Sequence, residues 1–391
     1  MLIICIAFLL LTISIDSIST IKIDSIRITQ VQDELVPHEN SNAYVVISEN
    51  SLEGFFVDTG TTISTASRMI SVYQQQIQST SKPPQFVFLT HGHPDHMGGI
   101  VRIQEVYPST PIYVISQQVI REAVKWVNFS CSRSSYSAAQ CAVNYASVLR
   151  ALSSPRLQLT FNHPSVKLNA LSVVIKGETS YAGLLGLTTS SGVHFLFTGD
   201  AMTIRSHLYV SNFFDTEVLP ASDDALCAWA GIMQASVCEL QLGNRRSTIL
   251  PGHGPTSDIS SYANDVAQNV EWLRVLRNLT FNSCNSTYIW NEMIRRYPDF
   301  GEVLLQVKGG LNTHVPADAN SVNCNCMNGS PTICSVYNAP PTCIHLDFND
   351  SDTTLACSML SSAYSFVSQS LLIQPVTLLI AIISILHIWH D

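Results

Sequence analysis

Four side chains able to bind a metal ion fall within six residues, His91, His93, Asp95 and His96, in the stretch THGHPDHMGG. The chain holds only 12 histidines among its 391 residues, so three in one short stretch are a concentration that a polar turn does not require. Imidazole nitrogen and carboxylate oxygen are zinc donors at about 2.0–2.2 Å. The apolar run Phe86-Val87-Phe88-Leu89 leads directly into the cluster. That order predicts a strand ending in a loop, and from the end of a strand all four donors can turn toward one point.

The elements that must position such a loop are legible as short β-rich runs. They recur at residues 43–47, 55–57, 86–89, 112–115, 157–161, 171–175, 184–188, 194–197 and 248–250. Helical periodicity separates several of them, at residues 62–78, 117–127 and 225–240, and a further helix is expected over 260–278. Strands mixed with helices and no internal repeat argue for an α/β or α+β domain. Ser64 and Ser67 read as ordinary helix residues, not nucleophiles.

The bulk composition narrows the partners. The chain is 46% hydrophobic, enough for a substantial core, and only 13% charged, with a net charge of −9. A typical soluble protein is roughly 25% charged. An acidic chain with no run of Lys and Arg is poorly suited to nucleic acid, so a small-molecule substrate is expected and a nucleic-acid partner is not. Oligomeric state is not readable.

The two ends differ from the middle. Residues 1–13, MLIICIAFLLLTI, resemble the apolar core of a signal peptide, although no basic residue precedes it; cleavage is expected near Ser17 to Thr20. A second apolar run spans Leu371 to Trp389. Small residues Ser361, Ser362 and Ala363 and a polar-leaning spacer precede it, and no Lys or Arg follows it, which is the pattern of a GPI-attachment signal. A single-pass transmembrane anchor is the alternative. Besides Cys5 there are ten cysteines, an even count that fits disulfides in a secreted chain; Cys131–Cys141 and Cys227–Cys238 are close enough for local bridges. Asn-X-Ser/Thr triplets stand at Asn128, Asn278, Asn285, Asn328 and Asn349. The expected organisation is a signal peptide at 1–20, a catalytic-type domain at 21–280, a Cys-rich glycosylated extension at 281–360 and a hydrophobic C-terminal anchor signal at 361–391. The expected address is the secretory pathway and the outer face of the cell, held to the membrane by the C-terminal anchor.

HGHPDH matches the H-x-H-x-D-H signature of the metallo-β-lactamase-fold hydrolases, and further motifs follow in the family's order. FFVDTGTT carries Asp58 and Gly60 and resembles the first motif; FLFTGD ends in Asp200; ILPGHG carries His253. The resemblance covers about residues 40–277. It implies a four-layer αβ/βα sandwich with two metals at one edge. It also implies that His91 and His93 hold the first metal, that Asp95, His96 and His253 hold the second, that Asp200 bridges them and that Asp58 supports the metal loop. One position departs from the pattern. Where the family has a third histidine for the first metal, this chain has Glu178, in IKGETSYAGLLGL. His194 and His163 belong at the wrong ends of their strands to replace it. Glu178 is either a carboxylate ligand, which would favour manganese or iron beside zinc, or no ligand at all. The resemblance thus implies a metal-dependent hydrolase with two zinc ions, in which a metal-bridging hydroxide attacks a small ester, lactone or amide and Asp95 relays the proton. The competing expectation is a weakened or inactive cell-surface binding protein that retains the fold.

Overall fold

The computed structural model describes residues 18–33, 41–153, 158–159, 167–175, 179–210, 226, 229–233, 246–257, 262–283 and 285–301. Both terminal apolar runs, the Cys227–Cys238 pair, Glu178 and the Cys-rich segment after Gly301 lie outside the described residues. Among the described residues no helix is long and apolar enough to cross a membrane.

Two sheets organise the chain. The first has seven strands in sequence order: β1 (Ile18–Ile23), β2 (Ile26–Gln32), β3 (Asn42–Ser48), β4 (Glu53–Val57), β5 (Val87–Leu89), β6 (Ile112–Val114) and β7 (Leu149–Ala151). Strands β1 to β4 pair antiparallel, and β4 to β7 pair parallel. The parallel half needs crossovers, supplied by helix α1 (Ile63–Ile77), by α2 (Pro94–Met97) with α3 (Ile100–Val106), and by α4 (Gln117–Ser132), α5 (Ala138–Cys141) and α6 (Tyr145–Val148). The second sheet contains β8 (Gln158–Leu159), β9 (Lys167–Ile175), β10 (Thr179–Thr188), β11 (His194–Gly199) and β12 (Ser247–Pro251), in the order β12-β11-β10-β9-β8. Only β11 and β12 run parallel in it. Helices α7 (Tyr262–Asn282) and α8 (Ser286–Arg296) close the described chain.

Residue alternation shows how the layers stack. In the second sheet Leu185, Leu187, Phe195, Phe197 and Leu250 belong to one apolar core, while the alternate residues Leu184, Leu196 and Ile249 belong to another. The first set faces the first sheet, where Tyr44 meets Phe197 edge-on with ring centroids 5.3 Å apart. The second set faces the α7 and α8 helices, whose Trp272, Leu276, Ile289, Trp290 and Met293 are buried against it. On the far side of the first sheet, α1 buries Ala66, Met69, Ile70, Tyr73 and Ile77, the spacing of one helical face. Thr62 caps that helix by accepting from Thr65 N at 3.1 Å, and Gln78 ends it in the left-handed region. The result is helix, sheet, sheet, helix: the mixed α/β sandwich expected from the resemblance.

Several elements go beyond the sequence reading. Strands β1 and β2 form a hairpin through Asp24 and Ser25, at φ +50° and +59°, as a two-residue turn of the primed type requires. Strand β1 begins at Ile18, inside the segment 1–20 expected to be a signal peptide. Helix α8 lies beyond residue 280 yet contributes to the second core. Cys131 and Cys141 are joined by a disulfide bond, as their spacing suggested.

One buried titratable group marks the second core. His207 is 2% exposed, lies among the rings of Trp290, Phe300 and Trp272, and accepts a hydrogen bond at Nδ1 from Trp272 Nε1 (3.1 Å). Burial lowers its pKa from 6.5 to about 4. A histidine whose folded pKa is depressed contributes stability that is fully present above the unfolded value and is lost as pH falls toward the folded one. That separation corresponds to about 3 kcal/mol. In urea unfolding, wild type should therefore lose up to about 3 kcal/mol relative to His207→Phe between pH 6.5 and 4. A constant difference between the two proteins across that range would contradict this.

Candidate metal centre

Parallel strands deliver the cluster. Asp58 follows β4, His91 follows β5, Asp200 follows β11 and His253 follows β12, so four carboxyl ends of parallel strands open on one edge of the sandwich. Ligands bind at such ends in parallel sheets. His93, Asp95 and His96 lie on the turn into and through α2, which starts with Pro94 at its first position.

Six of the seven residues expected from the sequence as ligands come together there. They form two donor groups, one of His91, His93 and Asp200, the other of Asp95, His96, Asp200 and His253, with the donor atoms of each group within 4.8 Å of one another. In the second group His96 Nε2 lies 3.0 Å from Asp200 Oδ1 and 3.3 Å from Asp95 Oδ2; His253 Nε2 lies 3.1 Å from Asp95 Oδ2 and 3.4 Å from Asp200 Oδ1. A tetrahedral ion with ligands at about 2.0–2.1 Å has ligand-to-ligand edges of about 3.3 Å. The four atoms therefore have the spacing of one coordination shell. Asp200 turns its other oxygen, Oδ2, toward His91 Nε2 at 3.5 Å, so one carboxylate faces both groups. His96 Nε2 and Asp200 Oδ1 are buried and complete no hydrogen bond of normal geometry. Buried polar atoms left in that condition are costly, and a cation between them removes the cost. The donor set fits a metal.

The surrounding residues fix the donors. Asp58, also at a positive φ of 56°, accepts from Thr90 N (2.8 Å) and from Thr90 Oγ1, and binds His96 Nδ1 at 2.9 Å. With Nδ1 donating to a carboxylate, His96 keeps Nε2 as the lone-pair nitrogen facing the cluster. Thr90 Oγ1 also stands 3.0 Å from His91 Nδ1. The last motif is held from the opposite sheet: Asn42 Nδ2 donates to the carbonyls of Pro251 (2.9 Å) and Gly254 (2.7 Å), and Tyr44 Oη donates to that of Pro251 (2.7 Å). Between these anchors only glycine fits at 252, because a Cβ there would fall on Asp200 Oδ1. Behind Asp200, Trp229 Nε1 donates to Ala201 O (2.9 Å) and Asn269 grips Thr203 through both its N–H and carbonyl.

Electrostatics make the metal-free cluster self-paired. Burial would raise the pKa of Asp95, but His96 and His253 hold it well below the usual carboxylate range. Burial likewise opposes the ionisation of Asp200, and His96, His253 and His91 overcome it. Burial lowers the pKa of His253, yet Asp200 and Asp95 raise it to about 10; for His96, too, Asp200, Asp95 and Asp58 outweigh burial and hold the pKa well above the usual imidazole value. A metal ligand must be neutral imidazole, so metal entry displaces these protons.

The cluster forms the floor of a cleft of about 370 Å³ whose walls include Trp126, Phe129, Tyr136 and Tyr209. Gln140 Nε2, inside the disulfide-closed loop, donates to Thr61 O (3.1 Å) and Gly98 O (2.9 Å), and Tyr136 Oη donates to Pro94 O (2.8 Å). Thr90, Asn42 and Tyr44 escaped the sequence reading, as did the aromatic wall. Thr90 alone had a signal, its place directly before His91. His194 sits at the opposite end of β11 from Asp200, bound to Thr188, as its position in the strand implied.

Comparison with known proteins bears on the fold. Residues 36–121 match the family model of the metallo-beta-lactamase superfamily. The chain resembles a double mutant of the sec-alkyl sulfatase PisA1 at 16% identity and a TM-score of 0.52, covering 81% of this chain and 52% of that one. It also aligns with the metallo-β-lactamase FIM-1 from Pseudomonas aeruginosa in its mono-zinc form, at 17% identity and a TM-score of 0.41, over 65% of this chain and 95% of that one. No curated protein matches it. The family resemblance by sequence is thus confined to residues 36–121, and the solved structures extend the likeness of fold beyond them.

Two outcomes follow. Asparagine tolerates the left-handed backbone at 58 but cannot accept from both Thr90 and His96, so Asp58→Asn should weaken zinc binding about 10- to 100-fold with unchanged circular dichroism. Chelator competition measures it, and wild-type affinity would remove Asp58 from the metal centre. Zinc added to metal-free protein at pH 7 should release protons, read as a dependence of calorimetric heat on buffer ionisation enthalpy.

Proposed function

We propose that this chain is a metal-dependent hydrolase that uses two zinc ions to cleave a small ester, lactone or amide. The observation that carries the reading is the pair of donor groups sharing Asp200 at the floor of a cleft. His91, His93 and Asp200 would hold one ion, and Asp95, His96, Asp200 and His253 the other. Glu178 is the proposed further ligand of the first ion, with manganese or iron as alternative metals. Bound ions would supply an acidified water and an electrophile for the substrate carbonyl.

The chain's own residues do the rest. Asp95 has the most exposed side chain of its group, at 13%, so its carboxylate faces the cleft and serves as the proton acceptor and relay. Asp58 and Thr90 hold His96 and His91 in one orientation, so the site is preorganised before substrate arrives.

The proposed address is extracellular, with residues before the first strand removed as a signal peptide and residues 361–391 directing membrane attachment. The Cys131–Cys141 bridge fits an oxidising compartment, and Asn128, Asn278 and Asn285 are exposed as glycosylation would need. Cleavage just before Ile18, near the early end of the expected window, leaves β1 whole. Release of the protein from cells by phosphatidylinositol-specific phospholipase is the expected result; retention of Leu371 to Trp389 in the mature chain would mean a transmembrane anchor instead.

Metal stoichiometry tests the central proposal. Wild type should carry two equivalents, His253→Ala and His93→Ala fewer, and Glu178→Ala should lose the first ion preferentially, since two histidines and a shared carboxylate leave it under-coordinated. Unchanged metal in both histidine variants would overturn the ligand assignment, and unchanged metal in Glu178→Ala would remove Glu178 from it.

A further inference from the structure

We infer that the cleft selects substrates whose acyl group ends in an uncharged, flat apolar ring, and that Trp126 is the residue that recognises the ring. This rests on the proposed hydrolase reading and adds the substrate class to it. The floor of the cleft provides for the reacting carbonyl; the walls decide what else the substrate carries. Trp126 and Phe129 stand one helical turn apart on α4, half-buried, with ring centroids 5.7 Å apart and planes at 89°. Tyr209 enters from the other half of the chain. Trp126 and Tyr209 both meet the ring of His93 at a steep angle, with centroids 4.9 and 6.2 Å away. The aromatic wall is thus continuous with a proposed metal ligand, and a ring placed against it holds its acyl carbon next to the floor.

Charge sharpens the class. Among the described residues that line the cleft there is no lysine or arginine; the polar groups besides the metal cluster are hydroxyls, the phenols of Tyr136 and Tyr209, the Trp126 indole and one amide, Gln140. Arg133 is outside the lining and stacks over the face of Phe129, 5.1 Å from its centroid. A carboxylate, sulfate or phosphate far from the reacting carbonyl would leave water for a wall that offers it no cation, which is costly. An apolar ring gains burial and edge-to-face contact there. At about 370 Å³ the cleft is at the small end of ligand sites, so one ring and a short linker fill it. The wall is also fixed in place. Cys131–Cys141 closes the loop carrying Tyr136 and Gln140, and their hydrogen bonds tie that loop to Pro94, Thr61 and Gly98.

Three methyl esters with the same leaving group test this on zinc-loaded protein: methyl 3-phenylpropanoate, methyl butanoate and methyl 3-(4-carboxyphenyl)propanoate. The expected kcat/KM for the phenyl ester is roughly tenfold above each of the others, the scale of one aromatic contact plus its buried area. In Trp126→Ala the phenyl-to-alkyl ratio should fall toward unity through KM, and Trp126→Phe should restore it. Calorimetry of 3-phenylpropanamide binding to the protein as isolated gives a readout apart from turnover, and Trp126→Ala should weaken it to a similar extent. Equal turnover of the three esters, or preference for the carboxylated one, overturns the inference. No turnover of any ester with Trp126-dependent amide binding leaves the wall standing and sinks the hydrolase reading. Neither turnover nor binding overturns both.

Discussion

The Asp58 carboxylate holds the edge of the molecule where everything converges. It is buried, sits on a left-handed backbone, and is bound by the amide and hydroxyl of Thr90 and by the imidazole of His96. Those contacts lock the end of β4 to the end of β5 and to the first turn of α2. Without them His91 and His96 would have no fixed orientation, and a donor free to rotate loses much of its value as a ligand. A left-handed aspartate is uncommon and locally unfavourable. Here three hydrogen-bonding partners offset that cost.

A second set of constraints comes from the two-sheet architecture. The donors derive from both sheets, yet their atoms must meet to within a few tenths of an ångström. Asn42 and Tyr44, on β3 of the first sheet, bind the carbonyls of the loop after β12 in the second. Gln30 on β2 reinforces Asn42 at 2.7 Å and reaches Gly254 itself. Gly183 N donates to Thr90 O at 2.7 Å, a further stitch from β10 to the end of β5. The apolar core between the sheets supplies cohesion, while these polar contacts supply register.

How much of this was legible varies with how local the signal is. The donor cluster at 91–96 announces itself because four ligand types crowd one loop. Strands β3, β4 and β11 were readable from apolar runs, and α1 from its helical spacing. Asp200 and His253 are single residues whose importance came through the motifs around them, not through their own neighbourhoods. Strands β1 and β2 were missed although IKIDSIRI has period-two alternation about a turn; the first three residues of β1, Ile18 to Thr20, had been assigned to a signal peptide. The short β7 carries too few residues for periodicity to mark it, and α8 was missed because everything after residue 280 was assigned to the Cys-rich extension. Asn42 and Tyr44 were invisible as site residues: their partners are more than two hundred positions away, and nothing in a strand sequence says which carbonyl its side chains will meet. The aromatic wall was hidden for the same reason, since Trp126 and Tyr209 converge only through the fold.

The distance along the chain between Asn42 and the loop it clamps has a temporal meaning. A ribosome must deliver the whole of β12 before His253 can join the donors or Asn42 can find its carbonyls. Until then the emerging chain carries the donors from His91 to Asp200 without His253, and a second sheet that still lacks its last strand. Long-range contacts of this kind form late and slow the search for the native state. Metal capture by the complete donor set is therefore a report that synthesis and assembly have passed residue 253, and an ion bound there ties the beginning of the domain to its end.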